Sequence, residues 1–263
     1  MDLRVDDKAY LIAGGTGGMG LAGALALAAD GASLTVVGRD HARADDAAQQ
    51  LLAAGATAAQ AAIFDVSAPC GAAGAVAQAV ETFGRLDGVA VTTGLIGHEH
   101  FDISDSRWVE VLTDVLLGTT RTVEAALPHL IEAKGTVVTT SAFSIRGPEI
   151  ARLPYTSMKA AVAAFTKGIA RHYGKQGVRA NCIAPGAIET SALTELRKVV
   201  SQAKGIPYEE ALERVMVEEW HLDIALGRPG KPEEVGDLIA FLLSPRAGYL
   251  TGALINIDGG TTF

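Results

Sequence analysis

Residues 9–20 read AYLIAGGTGGMG, in which an apolar run is followed at once by a glycine-rich turn. The run from Ala9 to Ala13 is predicted as a strand, and a helix is predicted to begin near Leu21. Glycines at such a turn let backbone amides and the helix N-terminus approach a pyrophosphate closely. An ordinary tight turn is the alternative, but the order of strand, turn and helix favours a dinucleotide site formed by Gly14, Gly18, Met19 and Gly20.

Short apolar runs recur along the chain between Ala-rich segments. After the first, they are Ser33 to Val37, Ala61 to Phe64, Val89 to Thr93, Thr136 to Thr140, Arg179 to Ala184 and Leu254 to Ile257. Continuous runs rich in Val and Ile favour parallel strands covered on both faces, and the Ala-rich tract from Ala42 to Ala62 is interpreted as helical. The pattern predicts an α/β fold: a doubly wound (Rossmann) parallel sheet of about seven strands with helices on both faces.

No linker or internal repeat divides the 263 residues, so one domain over residues 1–263 is predicted. Between Thr190 and Pro229, Leu196 to Lys204 and Glu209 to Trp220 are predicted as two amphipathic helices. This helical insertion, at about 191–226, is expected to cover a substrate site. Its apolar residues could contact a bulky substrate or simply pack together, and they are Leu193, Leu196, Val199, Met216, Trp220 and Leu222.

The net charge and the cysteine content limit the classes of binding partner and the cellular compartment that we expect. The formal charge is -8 and no Lys/Arg block occurs, which argues against nucleic acid or a membrane as a partner. Cys70 and Cys182 form no disulfide framework or metal spacing, which is typical of a reducing compartment. The N-terminus has no secretory pattern and no run is long enough to span a membrane, so a cytoplasmic protein with a small-molecule substrate is expected.

The stretch from Tyr155 to Lys159 places a phenol and an ammonium group one helical turn apart, on one face of a predicted helix. A phenol that transfers protons near neutral pH needs its pKa lowered by roughly 2–3 units from about 10. The ammonium group of Lys159 is a nearby source of that stabilisation, and Ser141 is a candidate partner hydroxyl. A solvated helix face that carries Tyr155 and Lys159 by chance is the alternative.

The end of the second strand bears on the choice of dinucleotide. It reads VVGRD over residues 36–40, with Gly38 where an acid would bind the ribose diol of NAD. The guanidinium of Arg39 can pair with a 2′-phosphate, which favours NADP while NAD stays possible. In the alternative, Arg39 is a solvated loop cation and Asp40 binds the ribose. After the third strand, Asp65 and Val66 could cap the adenine.

Together, these motifs resemble the short-chain dehydrogenase/reductase family over essentially the whole chain. The matching segments, in order, are Gly14 with Gly18 and Gly20, Thr139 to Ser141, Tyr155 with Lys159, Pro185 to Thr190, and a C-terminal portion from Gly227 to Gly260. The resemblance implies an NAD(P)(H)-dependent oxidoreductase that interconverts a carbonyl and a secondary alcohol. It also implies a homotetramer.

The resemblance further implies roles for single residues. Tyr155 would give a proton to the carbonyl oxygen as hydride arrives from the nicotinamide, and Ser141 would hydrogen-bond that oxygen. Lys159 would bind the nicotinamide ribose and lower the pKa of the tyrosine, assisted by the positive nicotinamide ring. Ile188 and Thr190 would hold the carboxamide.

Two departures from the family pattern concern the surroundings of the lysine. Val115 stands where the family usually has an asparagine thought to hold a water of the proton relay, and an isopropyl group makes no hydrogen bond. Thr113 and Asp114 are nearby in sequence but are not expected to substitute, because helical spacing turns them elsewhere. The family's Asn-Asn-Ala-Gly is VTTG at residues 91–94, which keeps Gly94, where the cofactor approaches the backbone.

A third departure lies in the spacing between serine and tyrosine. The segment from Ser141 to Tyr155 is one residue longer than the commonest family spacing, so a rigid alignment places Ala142 at the serine position. Ser141 is preferred because its local pattern matches the family and the following loop can absorb an insertion. Ser144 is the less favoured substitute.

The sequence His98-Glu99-His100 offers two imidazoles and a carboxylate, which can ligate a metal. A lone His-x-His without further placed ligands is more typical of a polar loop, so no metal is assigned and contact with substrate is favoured.

Two other classes of function stay open. A nucleotide-binding regulatory or weakly active relative with an impaired proton relay would keep the fold and the cofactor, and Val115 motivates this hypothesis. A structural scaffold is least favoured, because Tyr155, Lys159 and the glycine turn exceed what a scaffold needs.

Overall fold

The computed structural model describes residues 2–94, 99–218 and 223–262. A seven-stranded sheet has the order β3-β2-β1-β4-β5-β6-β8, and every neighbouring pair in it is parallel. Its strands are β1 (Ala9–Ala13), β2 (Ser33–Gly38), β3 (Ala58–Ile63), β4 (Gly88–Val91), β5 (Thr136–Thr140), β6 (Arg179–Pro185) and β8 (Leu254–Ile257). The predicted doubly wound α/β sheet of seven strands is confirmed.

Helices connect consecutive strands of the sheet. They are α1 (Gly18–Ala28), α2 (His41–Ala54), α3 (Gly71–Phe83), α4 (Asp105–Val111), α5 (Gly118–Ala133), α6 (Leu153–Tyr173), α7 (Ser191–Lys204), α8 (Tyr208–Glu218) and α9 (Pro232–Leu243). A π-helical segment, Leu112–Leu117, joins α4 to α5. None of the helices in the described part of the chain combines the length and apolarity needed to cross a bilayer.

The Ala-rich tract is only partly helical, so its prediction is wrong for residues 55–62. Helix α2 ends at Ala54, and Gly55 follows in the left-handed region with φ 112. Residues 58–63 then pair in parallel register with β2. The helix preference of alanine is a weak local effect, and here strand pairing outweighs it. The fourth strand also ends earlier than predicted, at Val91.

Both faces of the sheet carry an apolar core, as continuous Val- and Ile-rich strands predict. On one face, α1 and α9 pack together closely. A Cβ on Gly236 would lie 2.5 Å from the backbone carbon of Ala22, and one on Gly23 would lie 3.0 Å from Ile239. These glycines let the two helices meet almost backbone to backbone. Helices α3 and α5 cover the opposite face with residues such as Val76.

The predicted insertion is present as α7 and α8. Helix α7 begins at Ser191, five residues before the predicted Leu196, and α8 is described as far as Glu218. Arg197 joins the two helices, because its guanidinium donates to Glu209 O at 3.1 Å and to Glu213 at 3.0 Å. Trp220 and Leu222 lie outside the described residues.

A small antiparallel pair, β7 (Asp223–Ile224) with β9 (Thr261–Thr262), was not predicted. Strands of two residues leave no periodic pattern in a sequence. The pair lies beyond the insertion and links it to the C-terminal segment.

Candidate active site

The glycine turn leads from β1 into α1 in the conformation that its sequence requires. Gly14 and Gly18 have φ 82 and 53, in the left-handed region. A Cβ on Gly20 would overlap the carbonyl oxygen of Gly14 and lie 2.5 Å from Thr92 Oγ1. A side chain at Gly20 is therefore excluded by the packing of the turn itself.

At the end of β2, the side chain of Asp40 is hydrogen-bonded to the backbone of the following helix. Asp40 Oδ1 accepts a hydrogen bond from Arg43 N at 2.9 Å, so Asp40 is the N-cap of α2. A Cβ on Gly38 would lie 2.5 Å from the methyl group of Thr16, which leaves no space for an acid there. The side chain of Arg39 is 77% exposed, 3.9 Å from Asp65.

A second cation lies near this end of the site and was missed from the sequence. Arg43 Nη2 lies 2.9 Å from the point that a Cβ on Gly17 would occupy, so this guanidinium reaches the glycine turn. Its position four residues after Arg39, in the first turn of α2, is the signal that could have revealed it.

The two residues expected to cap adenine differ in what they can offer. Asp65 Oδ1 accepts from Ser67 N at 2.9 Å and Ser67 Oγ at 2.6 Å. These hydrogen bonds from Ser67 and, to a smaller extent, the charge of Arg39 lower the pKa of Asp65. The side chain of Val66 is buried in the core with Val76. Oδ2 of Asp65 and the backbone of Val66 remain for a ligand.

Tyr155 and Lys159 lie on α6 at the wall of a cavity, as predicted for a shared helix face. Lys159 Nζ lies 5.5 Å from the centre of the Tyr155 ring. It donates to Thr140 O at 2.9 Å and to Thr93 O at 3.4 Å. A Cβ on Gly94, which has φ 139, would lie 2.8 Å from this nitrogen, so Gly94 leaves room for the ammonium group.

Burial dominates the acid–base properties of the pair. It raises the pKa of Tyr155 to about 12, against a smaller lowering by Arg152. It lowers the pKa of Lys159 to about 8, against smaller raising effects of Cys182 and Asp114. The expected lowering of the phenol pKa by Lys159 is therefore not a property of the protein by itself. The phenol is protonated at neutral pH.

Val115 is fully buried in the π-helical segment. It belongs to an apolar cluster with Val162 and Cys182, against which Tyr155 also packs. Thr113 does not replace the missing amide, since its hydroxyl donates to Val109 O at 2.7 Å. Position 115 thus offers Lys159 an isopropyl group where the family has a hydrogen-bonding side chain, although the charge of Asp114 still acts to raise the pKa of Lys159.

Ser141 lines the cavity, but its hydroxyl is directed elsewhere. Ser141 Oγ donates to Lys159 O at 2.8 Å, across the contact between β5 and α6. A serine has one hydroxyl proton, so in this arrangement Ser141 can only accept from a ligand, whereas a ketone oxygen needs a donor. Ala142 lines the same cavity, and Ser144 Oγ is 2.9 Å from Thr156 Oγ1.

Two buried hydroxyls beside Lys159 have no partner within the described residues. They are Thr93 Oγ1 and Thr140 Oγ1, and both residues line the cavity. Buried polar atoms are nearly always hydrogen-bonded in native proteins. These two hydroxyls fit a polar ligand such as the nicotinamide half of a dinucleotide.

The cavity has a volume of about 370 Å³ and separates the glycine turn from the insertion. Ile188 and Thr190 line it beside Met19, and the methyl group of Thr190 lies 3.5 Å from the point that a Cβ on Gly18 would occupy. Its remaining wall is apolar and is formed by Ala142, Phe143, Ala187, Leu193 and Leu196.

Some apolar residues of the insertion line the cavity, where a substrate could contact them, and others pack within the insertion. Leu193 and Leu196 line the cavity, whereas Met216 is buried against Leu212 within the insertion. The side chain of Val199 is 53% exposed and serves neither use.

The candidate metal ligands are engaged in polar contacts with other side chains or lie outside the described residues. Glu99 is bound by the guanidinium of Arg107, and His100 Nδ1 lies 2.6 Å from Asp102. His98 is not among the described residues. Residues 2–94, 99–218 and 223–262 contain no group of three His, Cys, Asp or Glu side chains placed to hold a metal.

Comparison with known proteins extends the likeness over nearly the whole chain. A family model described as enoyl-(acyl carrier protein) reductase matches residues 13–262. The short-chain reductase protein NovJ of Streptomyces niveus is 32% identical over 97% of this chain and 94% of its own. Meso-2,3-butanediol dehydrogenase of Serratia marcescens is 30% identical over 99% and 96%.

Solved structures with a similar fold cover nearly the whole chain as well. L-sorbose reductase of Gluconobacter frateurii, in complex with NADPH and L-sorbose, superposes with a TM-score of 0.92 at 27% identity, covering 99% of this chain and 98% of that one. A short-chain type dehydrogenase/reductase of Mycobacterium ulcerans gives a TM-score of 0.84 at 28% identity, covering 97% and 90%. With the fold, the glycine turn and the Tyr155–Lys159 pair in place, the chain belongs to the short-chain dehydrogenase/reductase family.

Proposed function

We propose that this protein is an oxidoreductase that prefers NADP(H) and interconverts a ketone and a secondary alcohol. The observation that carries the proposal is the position of Tyr155 and Lys159 in one cavity with the glycine turn. A bound nicotinamide dinucleotide supplies or accepts the hydride at the carbonyl carbon. Relatives named as butanediol and galactitol dehydrogenases support an alcohol and carbonyl substrate pair.

In the reducing direction, Tyr155 is the proton donor. Its pKa of about 12 keeps the phenol protonated at neutral pH, so it is ready to donate to a ketone oxygen that gains negative charge. In the oxidising direction the same phenol must first lose its proton. That step needs positive charge beside it, from Lys159 and from an oxidised nicotinamide ring.

Lys159 has two tasks in the proposal. Its ammonium group, held by Thr140 O, provides positive charge within 5.5 Å of the phenol ring. It also faces Gly94, where the nicotinamide ribose would lie. Ile188 and Thr190, across the cavity from the lysine, are proposed to hold the carboxamide. The glycines at 14, 18 and 20, with Met19, are proposed to hold the pyrophosphate.

The preference for NADP is supported by the charges around the end of β2. Arg39 and Arg43 are both near the place of the adenine ribose, and Asp40 is engaged as a helix cap. A 2′-phosphate would find two guanidinium groups there, while one oxygen of Asp40 caps α2 and one oxygen of Asp65 accepts from Ser67. Thermal shifts measured with NADPH and NADH test this preference; a larger shift with NADH would contradict it.

The reaction itself is tested by NADPH oxidation with a panel of ketones. Tyr155→Phe removes the acidic proton with little change of volume, and we expect kcat to fall at least about 1000-fold. Tyr249→Phe is the matched control, because Tyr249 is fully exposed. Turnover that survives Tyr155→Phe would exclude the phenol as the acid, whereas unchanged NADPH binding in the variant would show that the cofactor site is intact.

A second candidate is a nucleotide-binding relative with weak turnover. It is favoured by the apolar contact of Val115 near Lys159 and by the commitment of the Ser141 proton to Lys159 O. NADPH binding without turnover across a broad panel of ketones and alcohols would support this second function over the first.

A homotetramer in the cytoplasm completes the proposal. Exposed apolar side chains lie on the edge strand β8, at Leu254, and shortly before it, at Tyr249 and Leu250, and such residues favour contact with another copy. Both cysteines are free, which accords with a reducing compartment. Light scattering of the purified protein measures the number of copies.

A further inference from the structure

The cavity contains a cation that the proposed reaction does not use. Arg152 lines it, immediately before α6 begins. Its side chain is only 16% exposed. Arginine is seldom buried to this extent without a partner for its charge.

Few neighbouring groups of the protein offset the positive charge of Arg152 or accept hydrogen bonds from it. Its nearest carboxylate, on Glu149, is 3.6 Å away and 50% exposed. That distance exceeds an N–H···O hydrogen bond. Within the described residues, no acceptor forms a hydrogen bond with the guanidinium of Arg152, although this group has five N–H donors. Other buried arginines, such as Arg179, donate to backbone carbonyls.

The charge balance of the cavity is one-sided. Among the described residues that line it, Arg152 and Lys159 are the charged side chains, and no carboxylate is present. The whole chain nevertheless has a net charge of -8. A concave site with two cations and no anion attracts a negatively charged ligand.

The two cationic side chains, Lys159 and Arg152, have different surroundings in the cavity. Lys159 Nζ is held between Thr93 O and Thr140 O and faces Gly94, on the side of the proposed nicotinamide. Arg152 is the N-cap residue of α6, outside the helix itself, and lines the cavity together with Tyr155. Its charge acts on the phenol of Tyr155, so an anion at Arg152 lies within electrostatic reach of the proposed proton donor.

Besides Arg152 and Lys159, the polar side chains of the cavity carry neutral hydroxyl groups, and the unpartnered ones, Thr93 Oγ1 and Thr140 Oγ1, lie beside Lys159. Ser141 donates to Lys159 O, and Ser144 shares a hydrogen bond with Thr156. Phe143, Leu193 and Leu196 are apolar. Arg152 is thus the group that can recognise a charged part of the substrate.

Resting on the proposed ketone reduction, we infer that the substrate carries an oxyanion group a few bonds from its carbonyl, and that Arg152 binds this group as a bidentate fork. A carboxylate and a phosphate share the required chemistry. Leu193 and Leu196 then contact the apolar part between charge and carbonyl. Arg152 is the residue that determines specificity for this charge.

The test compares ketones that differ only in the anionic group. Levulinate with methyl levulinate and acetoacetate with methyl acetoacetate probe the carboxylate, and dihydroxyacetone phosphate with dihydroxyacetone probes the phosphate. We expect kcat/KM to favour the charged member of at least one pair. In Arg152→Gln, that preference falls by about 10- to 100-fold, mainly through KM, because a hydrogen-bonded charge pair is lost.

Two further variants separate recognition from general effects of charge. Arg152→Lys keeps the charge without the fork and is expected to restore only part of the preference. Arg171→Gln removes the same charge from the exposed end of α6 and is expected to leave the preference as in the original chain. A preference that is unchanged in Arg152→Gln, or that falls equally in Arg171→Gln, overturns the inference.

Calorimetry separates failure of the inference from failure of the proposed reaction. Binding of levulinate and of dihydroxyacetone phosphate is measured on protein loaded with NADP⁺, where no turnover is needed. Binding that is lost in Arg152→Gln supports the anion site even where no ketone is reduced. Reduction of neutral ketones without binding or preference for any charged ligand overturns the anion site and leaves the reaction standing.

Discussion

The glycine turn and the surroundings of Tyr155 lie at the same edge of the sheet, but they follow the family pattern to different degrees. At the turn, Gly14 and Gly18 adopt the left-handed conformations that their positions require. Around the tyrosine, a buried valine replaces an amide, and Ser141 directs its proton to a backbone carbonyl. The first region presents mainly backbone to the cavity, and the second presents side chains.

This difference shows where a motif is sufficient to predict a site. A glycine pattern describes space and backbone conformation, which the strand and helix on either side determine. A Tyr-x-x-x-Lys motif describes two side chains, whereas their protonation depends on neighbours from β4, β5 and the π-helical segment. The experiments below change each region in turn, from the largest expected effect to the smallest.

Gly20→Ala tests the backbone site. The added Cβ would overlap the Gly14 carbonyl, so we expect loss of the NADPH thermal shift and a fall in kcat/KM of more than about 100-fold. Gly168→Ala in α6 is the control, because no atom lies within 4 Å of its Cβ position. That change should stabilise the fold by about 0.5–1 kcal/mol. Normal NADPH binding by Gly20→Ala would show that the turn is not the phosphate site.

The pH dependence tests the side-chain site. Burial lowers the pKa of Lys159 to about 8, so its charge is lost as the pH rises through that value. We expect kcat/KM for ketone reduction to be level from about pH 6 to 7 and to fall roughly tenfold per unit above about 8. A level profile up to pH 10 would show that the ammonium charge is not required.

The predicted fall in activity above about pH 8 is not expected to come from unfolding of the protein. An unfolded lysine keeps its proton up to its ordinary pKa of 10.5, so between about 8 and 10.5 the unfolded state binds more protons than the folded one. Deprotonation of Lys159 therefore favours the folded state as the pH rises through this window. Chemical denaturation at pH 7 and 9 measures whether stability is retained where activity falls.

Val115→Asn supplies the amide that the family usually has. We expect kcat to rise about three- to tenfold if proton transfer limits turnover. Burying an amide in the cluster of Val162 and Cys182 should lower the free energy of unfolding by about 1–3 kcal/mol. Val115→Ala opens space without an amide, so a rate increase shared by both variants would attribute the effect to space and not to a relay.

Ser141→Ala is expected to have the smallest effect on catalysis. Because its proton is donated to Lys159 O, we expect kcat/KM to fall less than about tenfold and the free energy of unfolding to fall by about 1 kcal/mol. Ser144→Ala, which breaks the contact with Thr156, is the control. A loss of 100-fold or more in Ser141→Ala alone would show that the hydroxyl turns to the substrate.

The sheet, the glycine turn and the pairing of Tyr155 with Lys159 could be predicted because each is encoded by local spacing. The strand at Ala58 was missed at its start because alanine carries no strand signal, and pairing with β2 decides its conformation. The direction of the Ser141 hydroxyl and the reach of Arg43 depend on contacts between distant elements. No pattern along the chain reports such contacts.

The close contact between α1 and α9 constrains the order in which the protein can mature. Helix α1 presents the glycine turn, yet the surface that supports it at Gly23 comes from Gly236 and Ile239, near the C-terminus. A chain still under synthesis has the entire glycine motif long before this support exists. The proposed cofactor site therefore matures late, and a product truncated before residue 232 keeps the glycine motif without the helix that packs against α1.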